Sequence, residues 1–219
     1  MKNFLSLMAV LFTAGIARAD MVIVQSVEGM AQSGQMTAMV GPDKVRTDVT
    51  PQVSTIVDTK TGDVTTLMHA QHAYMVLTAA ATQAMMSQAM QQAGPLSASP
   101  AAPVATGKHD KINGYEAEEY TFSNGSLKAS YWISKDYPNA KEITDALSKV
   151  QKGGLANIMK GLTPDLSTLP GVPVKTEVEI NGQKMTTVLV SATEQTVDPS
   201  EYEVPAGYTQ VQMPAMPGQ

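Results

Sequence analysis

Apolar and polar positions alternate with a period of two over most of the stretch from Met21 to Thr78, and turn residues interrupt the alternation at spacings of roughly ten residues. Residues 21–27 and 34–40 read as two strands. Gly41-Pro42-Asp43 is a turn signal. In 44–50, Val45, Thr47 and Val49 alternate with Arg46 and Asp48. A fourth strand follows Pro51 through Val53, Thr55 and Val57, a fifth covers 64–68 and a sixth 74–78, with turns at 59–62 and 70–72. Strands this short and this regularly spaced predict an antiparallel meander.

The pattern then changes period. Residues 79–93 are rich in Ala, Gln and Met, end at Gly94-Pro95, and predict a helix. Met86 and Met90 share one face with Thr82 and Ala93, and Met85 lies beside them. A Pro-, Ala- and Ser-rich stretch, 94–106, predicts a mobile linker within the fold. Strands resume at 108–112, 115–122 and 126–134, separated by Asn113-Gly114 and Asn124-Gly125, dipeptides that favour two-residue turns. Pro138-Asn139 with Glu142 opens a helix whose apolar stripe is Ile143, Leu147 and Val150. Gly153-Gly154 interrupts it, and Leu155, Ile158, Met159 and Leu162 form a further short amphipathic turn. A hairpin of 172–180 and 184–192 turns at Asn181-Gly182. Pro205-Ala206-Gly207-Tyr208 is a last ordered turn, and 211–219 a disordered tail. The expectation is a mainly β (α+β) fold: about eleven strands in one curved antiparallel sheet, with two or three helices covering its concave face.

The first residues set the compartment. Lys2 precedes an apolar run from Phe4 to Ile16, and Ala17-Arg18-Ala19 is a small-x-small cleavage pattern. This predicts a signal peptide over 1–19, cut after Ala19, and a periplasmic or secreted protein. The run is shorter than the ~20 residues a membrane-spanning helix needs, and no second long apolar stretch follows, so the chain is not expected to span a membrane. It has no cysteine, so stability comes from a packed core rather than disulfides. The net charge of −5 becomes more negative once Lys2 and Arg18 are removed. That argues against nucleic-acid partners, which require a basic face.

Short blocks along the chain resemble a known family. They are Arg46 and Asp48, Thr55-Ile56-Val57-Asp58, Gly62, Leu67, Tyr74-Met75, Gly114-Tyr115-Glu116-Ala117, Tyr131-Trp132-Ile133, Leu169-Pro170-Gly171-Val172-Pro173 and Val204-Pro205-Ala206-Gly207-Tyr208. In these the chain resembles the periplasmic lipoprotein-carrier (LolA/LolB-like) superfamily, and more closely an uncharacterised exported bacterial family grouped with it. The resemblance implies one half-barrel domain over 20–210. That domain would be an unclosed β-barrel with helices plugging its opening and an apolar cavity between them, which in the carriers takes acyl chains. Two features depart from the carriers: aromatic residues make up only 5% of the chain, and no cysteine is present to hold a lipid anchor.

Methionine, with 15 copies, is the distinctive composition signal, because its flexible thioether suits surfaces that accept ligands of imprecise shape. The expected ligand-lining residues are Met75, Leu77, Met85, Met86, Met90, Leu147 and Ile158. The bland alternative is that the same methionines complete a dry core. His69 and His72, flanked by Met68 and Met75, offer imidazole and thioether of the kind copper accepts, but they fall across a turn and no carboxylate completes a set. Glu116 and Glu118 alternate on one strand face, where carboxylates are ordinarily solvated. No G-x-S-x-G, H-E-x-x-H, P-loop or dinucleotide fingerprint occurs, so no enzyme activity and no cofactor are expected. Three readings follow: a module shielding a lipid or other apolar ligand, an envelope protein-interaction module with a filled core, and a periplasmic copper binder.

Overall fold

The structure is a computed structural model that describes residues 19–29, 32–84, 102–124, 127–152, 164, 166–180 and 182–212. Six strands come first: β1 (Asp20–Gly29), β2 (Gln32–Val40), β3 (Lys44–Thr50), β4 (Val53–Asp58), β5 (Val64–Met68) and β6 (Ala73–Leu77). Residues 79–84 are helical (α1). Then follow β7 (Val104–Ile112), β8 (Tyr115–Asn124), β9 (Leu127–Ser134), helix α2 (Ala140–Lys152), β10 (Val172–Ile180), β11 (Gln183–Gln195) and β12 (Thr209–Gln210).

All twelve strands belong to one sheet, in the order β12-β6-β5-β4-β3-β2-β1-β11-β10-β9-β8-β7. Every pairing is antiparallel except the two-residue β12, which runs parallel to β6. The expected meander of six strands is β1–β6. A second meander, β7–β11, joins it along the β1–β11 seam, from Asp20 opposite Gln195 to Gly29 opposite Met185. β7 and β12 stand at opposite edges, so the sheet is an unclosed barrel, as expected.

The sheet is strongly curled. Asn113, in the β7–β8 turn, donates from Nδ2 to the Leu189 carbonyl of β11 at 2.9 Å. Three strand intervals separate β8 from β11, about 14 Å in a flat sheet, so only curvature brings these groups together. The turn is the Asn-Gly type the sequence predicts, with positive φ at Asn113 and Gly114. In the Leu-Pro-Gly-Val-Pro block, Gly171 is needed for close approach: a Cβ there would collide with the Ser134 carbonyl of β9.

The main core joins both meanders to α2. Met21, Ile23, Ala38, Val40, Val45, Val172, Val174 and Leu189 from the sheet enclose Ile143 and Ala146 of the helix, with Leu147 packed against them. A second cluster of Phe122, Ala129, Tyr131 and Ile133 is closed by Leu169, with Leu166 packed on it.

The end of the expected linker is already sheet. β7 starts at Val104, four residues before the strand the sequence suggested, and most of the 94–106 segment lies outside the described residues. The physical reason is Glu119 on β8. Its carboxylate accepts from Thr106 Oγ1 at 3.0 Å and pairs with Lys108 Nζ at 3.2 Å, which holds a bulged stretch of β7 between Ala105 and His109. The Pro/Ala/Ser composition hides a strand that is anchored by its neighbour rather than by its own apolar residues. Glu119 is buried, whereas Glu116, three residues before it on β8, is exposed.

Burial pushes the Glu119 pKa upward. The bonds from Thr106 and Lys108, the Lys108 charge and a bond from Ser130 outweigh that, and the net shift is below the ordinary 4.5. A depressed folded-state pKa contributes stability that is present above the unfolded-state value and is lost as pH falls through the folded one. Urea denaturation between pH 6 and pH 3, both approximate settings, is expected to show a smaller loss of stability for Glu119→Gln than for the unaltered chain. Asp58 and Asp198, also depressed by backbone bonds, account for part of the remaining loss. Equal losses in both proteins would show that Glu119 is not held in its charged form.

Candidate functional site

Residues directly opposite in paired strands share a face of the sheet. On that basis Met21, Val40, Val45, Val57, Val64 and Leu77 form one unbroken apolar row from β1 to β6. The next row on this face is Ile23, Ala38, Thr47, Thr55, Thr66 and Met75. Helix α2 covers the β1–β3 end of the first row through Ile143, Ala146 and Leu147. Toward β6 burial falls off: Val64 is buried, while Leu77 and Met75 are half-exposed. Met36, Met68 and Met185 lie on the same face by register, also half-exposed. The described part of the sheet therefore presents a methionine-bearing apolar strip that continues beyond the helix.

Among the expected lining residues, Met75 and Leu77 are at the β6 end of this face and Leu147 is over its β1–β3 end. Met85, Met86, Met90 and Ile158 lie outside the described residues. The residues that sequence reasoning missed are Val45, Val57 and Val64. Each sits in an ordinary alternating strand, and only the register joins them into a row.

The opposite face of β3–β6 is covered by the C-terminal segment, through a chain of polar side chains. Glu201 Oε2 accepts from Arg46 Nη1 at 2.7 Å, and the Glu201 carbonyl accepts from the same nitrogen at 2.9 Å. Arg46 Nε donates to Asp48 Oδ1 at 2.8 Å, and Ser54 Oγ donates to that oxygen at 2.6 Å. Ser54 Oγ is 2.7 Å from His69 Nε2, and His69 Nδ1 is 2.7 Å from the Tyr208 hydroxyl. A carboxylate only accepts, so the single proton of Ser54 goes to Asp48 and its oxygen accepts from His69 Nε2–H. In the Nε2–H tautomer, Nδ1 is the acceptor for the Tyr208 hydroxyl. Proton directions agree along the whole chain, which links β3, β4, the β5–β6 turn and the C-terminal segment.

This arrangement is a clasp rather than a nucleophile site. In a Ser-His-Asp triad the imidazole takes the serine proton and the carboxylate orients the imidazole. Here the carboxylate bonds the serine directly, and Ser54 is 1% exposed. The same geometry answers the copper reading. Both His69 nitrogens are engaged by Ser54 and Tyr208, while His72 is exposed and turns its ring edge to Tyr208 at 5.5 Å. Both imidazoles stand edge-on to the Tyr208 ring, and among the described residues no group of three or more His, Cys, Asp or Glu is placed to hold a metal. The sequence marked His69 only as part of a turn; its partners Ser54 and Tyr208 lie 15 and 139 residues away.

The fold and its two faces define the class: an unclosed, curled antiparallel sheet, helix-covered on one side and strapped by its own C-terminal segment on the other. The chain belongs to the family described as "Domain of unknown function (DUF4412)", whose sequence model matches residues 19–208. No curated protein matches it in sequence. Among solved structures it is similar to PNGF-II at 10% identity and a TM-score of 0.41, over 90% of this chain but only 31% of the length of that one. It is also similar to the Mycobacterium tuberculosis lipoprotein LppX, at 10% identity and a TM-score of 0.41, covering 83% of this chain and 88% of that chain. For LprF from Mycobacterium bovis the values are 11% identity and 0.35, with 83% and 89% covered. Likenesses this distant carry no functional inference. Among the described residues no helix is long and apolar enough to cross a membrane.

Proposed function

We propose that the protein is an exported, non-enzymatic binding module that shields an elongated apolar ligand, such as an acyl chain, against the helix-side face of its half-barrel. The observation that carries this reading is the unbroken row from Met21 to Leu77, left half-exposed at its β6 end, where Met75 on β6 and Met68 on β5 lie on the same face; Met36 on β2 and Met185 on β11 share that face farther along the sheet. Such a strip costs free energy to keep in water and fits hydrocarbon better than a polar partner. Flexible methionines let it accept tails that differ in length or unsaturation. The leader over 1–19, with cleavage after Ala19, supports a site of action outside the cytoplasm, in the periplasm or secreted. The short sequence blocks shared with the LolA/LolB-like carriers support a single ligand-holding domain over 20–210.

The test is uptake of a fluorescent fatty acid by the delipidated protein, together with native mass spectrometry of the protein as purified. Leu77→Asp is expected to weaken uptake by about 10- to 100-fold, since burying one Leu side chain is worth roughly 1.5–3 kcal/mol. Its melting temperature should change little, because the side chain is only half-buried at the end of the row. No bound lipid and no uptake by the unaltered protein, or uptake untouched by Leu77→Asp, sinks the proposal.

A further inference from the structure

A cavity of about 440 Å³ opens on the strapped face at the start of β1, with Asp20, Asp43, Lys44, Val197, Tyr202 and Glu203 among its walls. That volume lies within the range of small-molecule sites. Among the described residues its charges do not balance. Asp43 is paired with Lys60 at 2.7 Å. Lys44 is shared between Glu203 at 3.8 Å and the Tyr202 carbonyl at 3.2 Å. Asp20 remains. It is 7% exposed and accepts from the Tyr202 hydroxyl at 2.9 Å, and among the described residues no cation stands within ion-pair distance of it. A buried carboxylate held by one neutral donor is costly unless a positive charge joins it. Pro42, Val197 and Pro199 supply apolar wall around it.

We infer that this cavity is an ammonium site, with the Asp20 carboxylate as its anchor and the Tyr202 hydroxyl as its neutral partner. A primary ammonium supplies three donors and the single charge the cavity lacks. The apolar wall suits a short hydrocarbon stem on the same molecule. Tyr202 remains a neutral donor throughout the physiological range, because burial, the bond to Asp20 and the Asp20 charge all push its pKa up. The ammonium has two possible sources. One is a free alkylamine. The other is the chain itself: cleavage after Ala19 makes Asp20 the first residue, and its α-nitrogen is separated from its own carboxylate only by Cα and Cβ. In that case removal of the leader completes the site.

Two forms of the protein separate these sources, one beginning at Asp20 and one carrying a short, uncharged, acetylated extension before Asp20. Calorimetric titration with hexylamine at neutral pH is expected to show binding to the extended form, at least tenfold weaker in Asp20→Asn, with no binding of hexanol. If a free amine is the natural ligand, the form beginning at Asp20 binds hexylamine equally well. If the chain's own terminus occupies the site, that form binds it at least tenfold more weakly. Its α-amino pKa, read by ¹⁵N chemical shift, then rises by roughly one unit above the usual ~8 and returns in Asp20→Asn. No binding to the extended form together with an ordinary α-amino pKa in the other overturns the assignment. So does equal uptake of hexylamine and hexanol, a comparison that holds even where Asp20→Asn fails to fold.

Discussion

Ile143→Ala is expected to lower the stability of this protein by about 2–5 kcal/mol, the range for truncating a fully enclosed Leu, Ile or Met side chain. Ile143 is 0% exposed. It is the residue through which α2 enters the cluster of Met21, Ile23, Ala38, Val40 and Val45 from the first meander and Val172, Val174 and Leu189 from the second. That cluster also spans the β1–β11 seam, so the void left by Ala sits where the two halves of the sheet depend on each other. Urea denaturation followed by circular dichroism measures the loss. A change under ~1 kcal/mol would mean that α2 is a loosely held cover. Because the helix end of the apolar row would then be open, the same variant is also a probe of ligand access, and its fatty-acid uptake is best recorded alongside its stability.

The second large effect concerns the clasp. Ser54→Ala removes the hydroxyl that donates to Asp48 and accepts from His69, and it leaves the Nε2–H of a half-buried imidazole without its acceptor. An orphaned buried donor costs roughly 1–3 kcal/mol. Asp48 keeps Arg46, and Arg46 keeps Glu201, so the damage falls on the His69–Tyr208 end of the chain. The segment after Asp198 should then detach more readily, which timed carboxypeptidase digestion reads as faster trimming of residues up to Gln210. A double-mutant cycle with Tyr208→Phe gives the sharper result. Residues in one hydrogen-bonded network couple by about 0.5–3 kcal/mol. Strictly additive losses from Ser54→Ala and Tyr208→Phe would show that the two hydroxyls act on separate elements and that the chain of bonds is not one unit. The detached strap would also uncover the Asp20–Tyr202 cavity, since Glu201 and Tyr202 belong to the same segment.

Strand positions were legible in the alternation of apolar residues because a half-buried strand must show period two. The Asn113-Gly114 turn was legible because few dipeptides take positive φ at both places. The start of β7 was not: Val104 to Gly107 follow a Pro-, Ala- and Ser-rich stretch, and their place in the sheet is fixed by Glu119 on β8, a partner that local pattern does not reveal. The same limit applied to the sites. Met75 and Leu77 were found as apolar residues near a methionine-rich stretch, but Val45, Val57 and Val64 became part of a site only through pairing. Arg46, Asp48 and Tyr208 stood out as members of the short blocks that carry the family resemblance, yet their bonding through Ser54 and His69 was invisible, because nothing in a strand's own pattern records which distant residue caps its outer face.

What the sequence determined by itself was whatever depends on near neighbours: strand and helix periods, turn chemistry, and an acidic, cysteine-free composition that requires a packed core. Tertiary structure alone decided the β1–β11 seam, the curl that brings Asn113 to Leu189, the row from Met21 to Leu77 and the buried Asp20. Each of these joins residues tens to nearly two hundred positions apart. Such pairings are selected by the free energy of the whole sheet closing over one core, and local propensity has no term that distinguishes them.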